Sequence, residues 1–181
     1  FVHTLASYVR QTGAEVTTLR SGFPLHLLEE LKPDLLFLSP GPGRPSEQGI
    51  PELVGAAVER GIPVFGVCLG HQGIAEHFGG RLNTFEKPYH GKPSSIQHEG
   101  VSLFRDLPNP FRAGRYHSLY VDRASLPDCL EVTAETDEGI IMGLKHRELP
   151  VLSVQFHPES ILTLSEQNGL RLIHQAIEIL T

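Results

Sequence analysis

Cys68 sits in "GVCLG", with Gly66 and Gly70 two residues to either side, where the apolar run Ile62 to Val67 gives way to a helical pattern. A strand-to-helix turn framed by glycines aims one side chain outward, as in a G-x-C-x-G nucleophile elbow. A thiol there lies at a helix N-terminus, and the positive end of the helix dipole favours thiolate. The Leu69 backbone N–H, a first-turn donor without an intrahelical partner, is a candidate for stabilising a developing oxyanion. Taken alone, the same residues read equally as a small buried cysteine whose flanking glycines let strand and helix pack closely.

A nucleophilic thiol needs a base. "QFHPES", Gln155 to Ser160, follows the apolar strand pattern "VLSVQF", so His157 falls at a strand end, on the same sheet edge as Cys68 if the two strands run parallel. Glu159, two residues on, is placed to orient the imidazole and stabilise its charge, and Pro158 stiffens the turn between them. A third segment, "SPGPGRP" from Ser39 to Pro45, follows the buried strand pattern "LLFLS". Gly41 and Gly43 there let the backbone approach a ligand and offer a second oxyanion donor. Singly, His157 is a surface histidine and the Pro/Gly run a rigid turn. The chemistry requires all three segments at one edge.

The elements that must hold them there alternate. A helix opens the chain with Phe1, Leu5, Tyr8 and Val9 on one face and stops at Gly13, a short strand spans Glu15 to Leu19, and a helix runs from Pro24 to Lys32. The strand "DLLFLS", the loop "PGPGRPSEQG", a helix from Pro51 to Arg60, the strand "IPVFGV" and a helix from Leu69 to Phe78 follow. Such alternation predicts βαβ units and a parallel sheet covered on both faces. From Arg81 to Phe156 the pattern turns to short strands, "RLNTF", "FRAGRYHSLYV", "CLEVTAET", "GIIMGLKH" and "VLSVQF". A helix from Glu166 to Leu180 closes the chain. The expectation is an α/β fold, mostly parallel in its central sheet with helices on both faces, strand-rich in its second half, forming one domain over 1–181.

The net charge of −6 over 181 residues, without a basic stripe, gives no electrostatic reason for a nucleic-acid or anionic-membrane partner. No apolar run approaches the roughly 18 residues that cross a bilayer, and the N-terminus lacks a signal-peptide pattern, so the expected compartment is cytoplasmic. Two cysteines, Cys68 and Cys129, do not make a disulfide framework. There is no H-E-x-x-H or C-x-x-C cluster, so no metal site and no cofactor are expected in this chain. Phe1 in place of Met suggests a chain cut from a longer polypeptide.

"PGPG", "GVCLGHQ" and "QFHPES", in this order and spacing, resemble the class I (triad) glutamine amidotransferases over essentially the whole chain. The resemblance implies Cys68 as nucleophile, His157 as general base and acid, and Glu159 as third triad member, with oxyanion donors at Gly43 and Leu69. It implies a glutamine site at Gly41, Pro42, Gly43 and Gln72, with the amino-acid end of the substrate held at Ser118 and Leu119. "YHGKPS" and "RYHSLY" narrow the resemblance to glutaminases serving chorismate-using synthases, closest to that of anthranilate synthase, including fused forms. His90 and Lys92 then face the synthase, separate or fused, and Mg²⁺ belongs to that partner. The alternatives are the glutaminase of aminodeoxychorismate synthase, another cysteine hydrolase on the same fold, and a catalytically silent regulatory domain. The family also begins with a strand ahead of "FVHTL", expected mid-sheet and not in this chain.

Overall fold

A computed structural model describes residues 2–160 and 167–181. Helix α1 spans Val2–Arg10, α2 Leu27–Leu31, strand β1 Leu36–Leu38, α3 Ile50–Glu59, β2 Val64–Val67 and α4 Leu69–His77. The second half holds β3 Leu82–His98, β4 Phe111–Val121, β5 Leu130–Thr136, β6 Ile141–His146 and β7 Val151–Val154 before α5, Asn168–Leu180. The strands form one seven-stranded sheet in the order β1-β2-β7-β6-β5-β3-β4.

The parallel part of the sheet is β1, β2 and β7, and the pairings among β3 to β7 are antiparallel. Strands β2 and β7, buried along their whole length, read as runs without a charged residue because both of their faces are covered. Phe65, Val67, Leu152 and Val154 face the core built with Leu5 of α1 and Leu172, Ile173 and Ala176 of α5. Val64 and Val151 face the opposite core, with Leu53, Val54 and Ala57 of α3 and Ile74 of α4. Helix α4 lies so close to the sheet that a Cβ on Gly70 would stand 2.6 Å from the Leu38 carbonyl oxygen, and one on Gly66 2.6 Å from the Gly70 carbonyl carbon. Glycine is therefore demanded at both ends of the "GVCLG" frame by packing alone.

Several expected elements differ. The segment Glu15 to Leu19 forms no strand: residues 14–20 carry no regular structure and make no ladder with the sheet, and an alternating pattern without a hydrogen-bonding partner does not hold as a strand. The helix expected from Pro24 begins at Leu27, because Leu27 and Leu28 N–H groups bond three residues back to Pro24 and Leu25 in a tighter turn. The Pro/Gly loop contains a 3₁₀ turn at Pro45–Gln48. "YHGKPS", whose composition reads as loop, lies within β3, paired along β4 with two register irregularities. Of the closing helix, Glu166 lies outside the described residues. No described helix is long and apolar enough to cross a membrane.

Candidate active site

Strands β2 and β7 are parallel neighbours in the register Val67↔Val154, and the Cys68 backbone N–H donates to the Val154 carbonyl at 2.9 Å. The chain beyond each strand therefore emerges at one sheet edge, Cys68 from β2 and Gln155 to Glu159 from β7. Cys68 adopts φ +53°, ψ −97°, a conformation that a side-chain-bearing residue holds only under strong constraint. Its amide is tied to β7 and its carbonyl accepts from Gln72 N–H at 3.0 Å inside α4. The residue is 6% exposed, with the Tyr116 carbonyl oxygen of β4 3.9 Å from its sulfur.

His157 donates from Nδ1 to Glu159 Oε1 at 2.5 Å, both residues being buried. A carboxylate accepts only, so the proton sits on Nδ1 and Nε2 keeps the lone pair that a base needs. The imidazole is steadied by its own backbone N–H, which bonds the Gly114 carbonyl at 3.0 Å, and by the Tyr116 ring, edge-on at 5.0 Å. Tyr116 thus touches Cys68 through its carbonyl and His157 through its ring.

Burial pushes the Cys68 thiol up to about 12, the charge of Glu159 adding to it, while hydrogen bonds from the Leu69 N–H and the Gln155 carboxamide pull it down. The helix-terminal donor acts in the direction expected of it, toward thiolate, but burial acts more strongly the other way. Desolvation outweighs the favourable donors, so the sulfur rests as S–H and needs a base.

The remaining site residues divide. In the loop after β1, Gly41 lies against Leu69, a Cβ at that position reaching 3.1 Å from its Cδ2. Gly43 has φ +76°, and a Cβ there would overlap the Glu47 carboxylate that accepts from Arg44 N–H. Pro42 between them is exposed. Gln72 is buried and turned to Leu119, whose carbonyl accepts from its Nε2 at 3.1 Å, while Ser118 is exposed. His90 and Lys92 lie on β3, opposite Tyr116 and Arg115 of β4, and both are exposed.

Sequence reading missed the polar layer behind these groups. Gln155 is fully buried, donating to Cys68 Sγ at 3.5 Å and accepting from Gln72 Nε2 at 3.2 Å. Arg115, 1% exposed, stacks over the Tyr89 ring at 3.5 Å and donates to Ser94 Oγ and to His117 Nε2. His71 bonds Ser153 Oγ at 2.7 Å beneath α4. A polar residue inside an apolar strand run is the signal that would have found Gln155, since buried polar groups require partners.

Burial holds His71 at about 3 and His117 at about 4. Below the unfolded value near 6.5, the unfolded chain binds protons that the folded imidazoles refuse, so stability falls as pH drops from 6.5 toward 4. Urea unfolding at about pH 5 should show a loss of roughly 2 kcal/mol per imidazole relative to about pH 7. Equal stabilities at the two pH values would contradict buried neutral histidines.

The sequence profile described as glutamine amidotransferase class-I matches residues 1–175. The chain belongs to this family. It is 51% identical over 178 residues to a protein named anthranilate synthase from Azospirillum brasilense, covering 98% of this chain but only 24% of that protein. It is 46% identical over 172 residues to the aminodeoxychorismate/anthranilate synthase component 2 of Bacillus subtilis, covering 94% of this chain and 89% of the relative. A solved structure from Thermoplasma acidophilum, described as that of a GMP synthase subunit, superposes with TM-score 0.86 over 99% of this chain and 88% of that one, at 24% identity. That likeness bears on the fold alone.

Proposed function

We propose that residues 1–181 form one amidotransferase domain that hydrolyses L-glutamine and passes ammonia to a chorismate-binding synthase, on a separate or a fused chain, for anthranilate formation. The observation that carries this reading is the buried His157–Glu159 pair at the edge where β2 delivers the strained Cys68. His157 Nε2 takes the thiol proton as the sulfur attacks the glutamine side-chain carbon. The tetrahedral oxyanion is held by the Leu69 and Gly43 N–H groups. The imidazolium then gives its proton to the departing nitrogen, the C–N bond breaks, and ammonia leaves a glutamyl thioester. Water activated by His157 cleaves the thioester, releasing glutamate and restoring the thiol.

The loop at Gly41 to Gly43, with Gln72, Ser118 and Leu119, binds glutamine in this reading. His90 and Lys92 meet the synthase, and they are well situated for it: the His90 ring lies 5.8 Å from that of Tyr116, whose carbonyl lies at the sulfur. The relatives' names support a synthase partner, and Mg²⁺ belongs to that partner. The domain makes only ammonia, so the product depends on the synthase. The native full-length assembly given glutamine, chorismate and Mg²⁺ should release glutamate, anthranilate and pyruvate. Aminodeoxychorismate without pyruvate would move the domain to the alternative synthase named for the Bacillus relative, and absence of glutamate would overturn the glutaminase reading.

A further inference from the structure

A primary carboxamide has a donating and an accepting end, and only the donating end favours a thiolate. Gln155 points its Nε2 at Cys68 Sγ, 3.5 Å away. What fixes that choice lies two residues further along the hydrogen-bond chain, at the Leu119 carbonyl, which only accepts. Gln72 Nε2 donates both to this carbonyl at 3.1 Å and to Gln155 Oε1 at 3.2 Å. Reversing Gln72 would face its oxygen to the carbonyl oxygen, and reversing Gln155 would face two NH₂ groups to each other. With Gln72 and Gln155 both buried, neither arrangement has water to relieve it.

The carbonyl is itself held from the far side. His117 Nδ1 donates to it at 2.7 Å, and His117 Nε2 accepts from Arg115 Nε at 3.0 Å, which leaves the imidazole neutral and committed to one tautomer. Arg115 in turn donates to Ser94 Oγ at 3.1 Å and stacks on Tyr89. A continuous polar relay thus runs from β3 through β4 and α4 to the sulfur.

We propose that Gln155 is a catalytic residue that stabilises the Cys68 thiolate, and that Leu119, acting through Gln72, locks it as a permanent donor, with His117 and Arg115 as positioning residues. The bond becomes charge-assisted once the thiol proton has passed to His157, so it strengthens as the sulfur ionises. The ionisable groups on the elements packed around the sulfur are Glu159 and His157 after β7, Arg112, Arg115, Tyr116, His117 and Tyr120 on β4, His71, Glu76 and His77 on α4 and His3, Tyr8 and Arg10 on α1. Glu159 opposes the thiolate. The proposal rests on the glutaminase reading only for the word catalytic.

The test is iodoacetamide labelling of the full chain, followed by peptide mapping across pH 7 to 10, with Cys129 as internal reference and no glutamine present. Gln155→Met keeps the length and loses the donor. It should slow labelling of Cys68 about 10-fold at each pH, a displacement of about one pH unit, and leave Cys129 unchanged. Gln72→Glu leaves the Gln155 side chain against the sulfur but turns the relay round, presenting an acceptor to Gln155 so that its oxygen faces Sγ, and should slow Cys68 by a similar factor without altering reagent access. In the glutaminase assay, Gln155→Met should lower kcat about 10-fold with KM within two-fold. Labelling rates within two-fold of the parent in folded Gln155→Met and Gln72→Glu would overturn the proposal. If Gln155→Met fails to fold, Gln72→Glu decides by the same criterion. Loss of the glutaminase reading would show instead as no glutamate from the parent chain with the labelling pattern intact.

Discussion

Cys68→Ala should reduce glutamine-dependent product formation to background, a loss on the order of 10⁴-fold or more, while synthesis from added ammonium salt by the same assembly is retained. The thiol supplies the nucleophile that attacks glutamine in the proposed route, and the ammonia-using step lies with the partner. The backbone at φ +53° treats Ala and Cys alike, since both carry a Cβ and nothing branched at it. The substitution does leave the buried Gln155 N–H without its acceptor, at a cost of about 1–3 kcal/mol. Cys68→Ser restores an acceptor and should unfold at higher urea than Cys68→Ala while remaining as inactive, because a hydroxyl is far harder to ionise than a thiol. Glutamine use persisting in Cys68→Ala would remove Cys68 as the nucleophile.

What the sequence displayed of this site follows from how each part is specified. The edge carrying Cys68 and His157 was legible because β2 and β7 are buried on both faces, which writes them as mostly apolar runs free of charge whose ends mark the turns. "FRAGRYHSLYV" was legible as a strand, and β4 spans those same residues. Its inward face carries Arg115 and His117 beside Ala113 and Leu119, and charge at inward positions reads as solvent-facing until its partners are known. Tyr89 and Ser94, the partners, sit on β3, whose Lys, Pro, His and Gly content argues for loop. Long-range pairing with β4 overrides that local preference. Glu15 to Leu19 shows the reverse case, local alternation with no ladder to join. The height of the Cys68 thiol pKa was beyond sequence reading, since desolvation is a property of packing.

His157→Gln should cost on the order of 10³–10⁴ in kcat/KM, and Glu159→Gln only on the order of 10–10². The imidazole moves a proton in each half of the proposed reaction, off the thiol and onto ammonia, then off water, and a thiol held near 12 does not begin that sequence without a base. Glu159 contributes differently. It fixes the Nδ1–H tautomer through the 2.5 Å bond and stabilises the imidazolium, yet its negative charge also raises the Cys68 thiol. Removing that charge therefore loses stabilisation of the imidazolium while easing thiolate formation, and the two effects partly cancel. A glutamine at 159 keeps an acceptor for Nδ1–H, so the tautomer survives and the charge alone is removed. Iodoacetamide labelling of Cys68 in Glu159→Gln should accordingly become faster at a given pH even as glutamine turnover slows, because labelling needs only the thiolate and turnover needs the imidazolium as well. Slower labelling in Glu159→Gln would mean that Glu159 acts on the sulfur chiefly through His157 and not through its own charge.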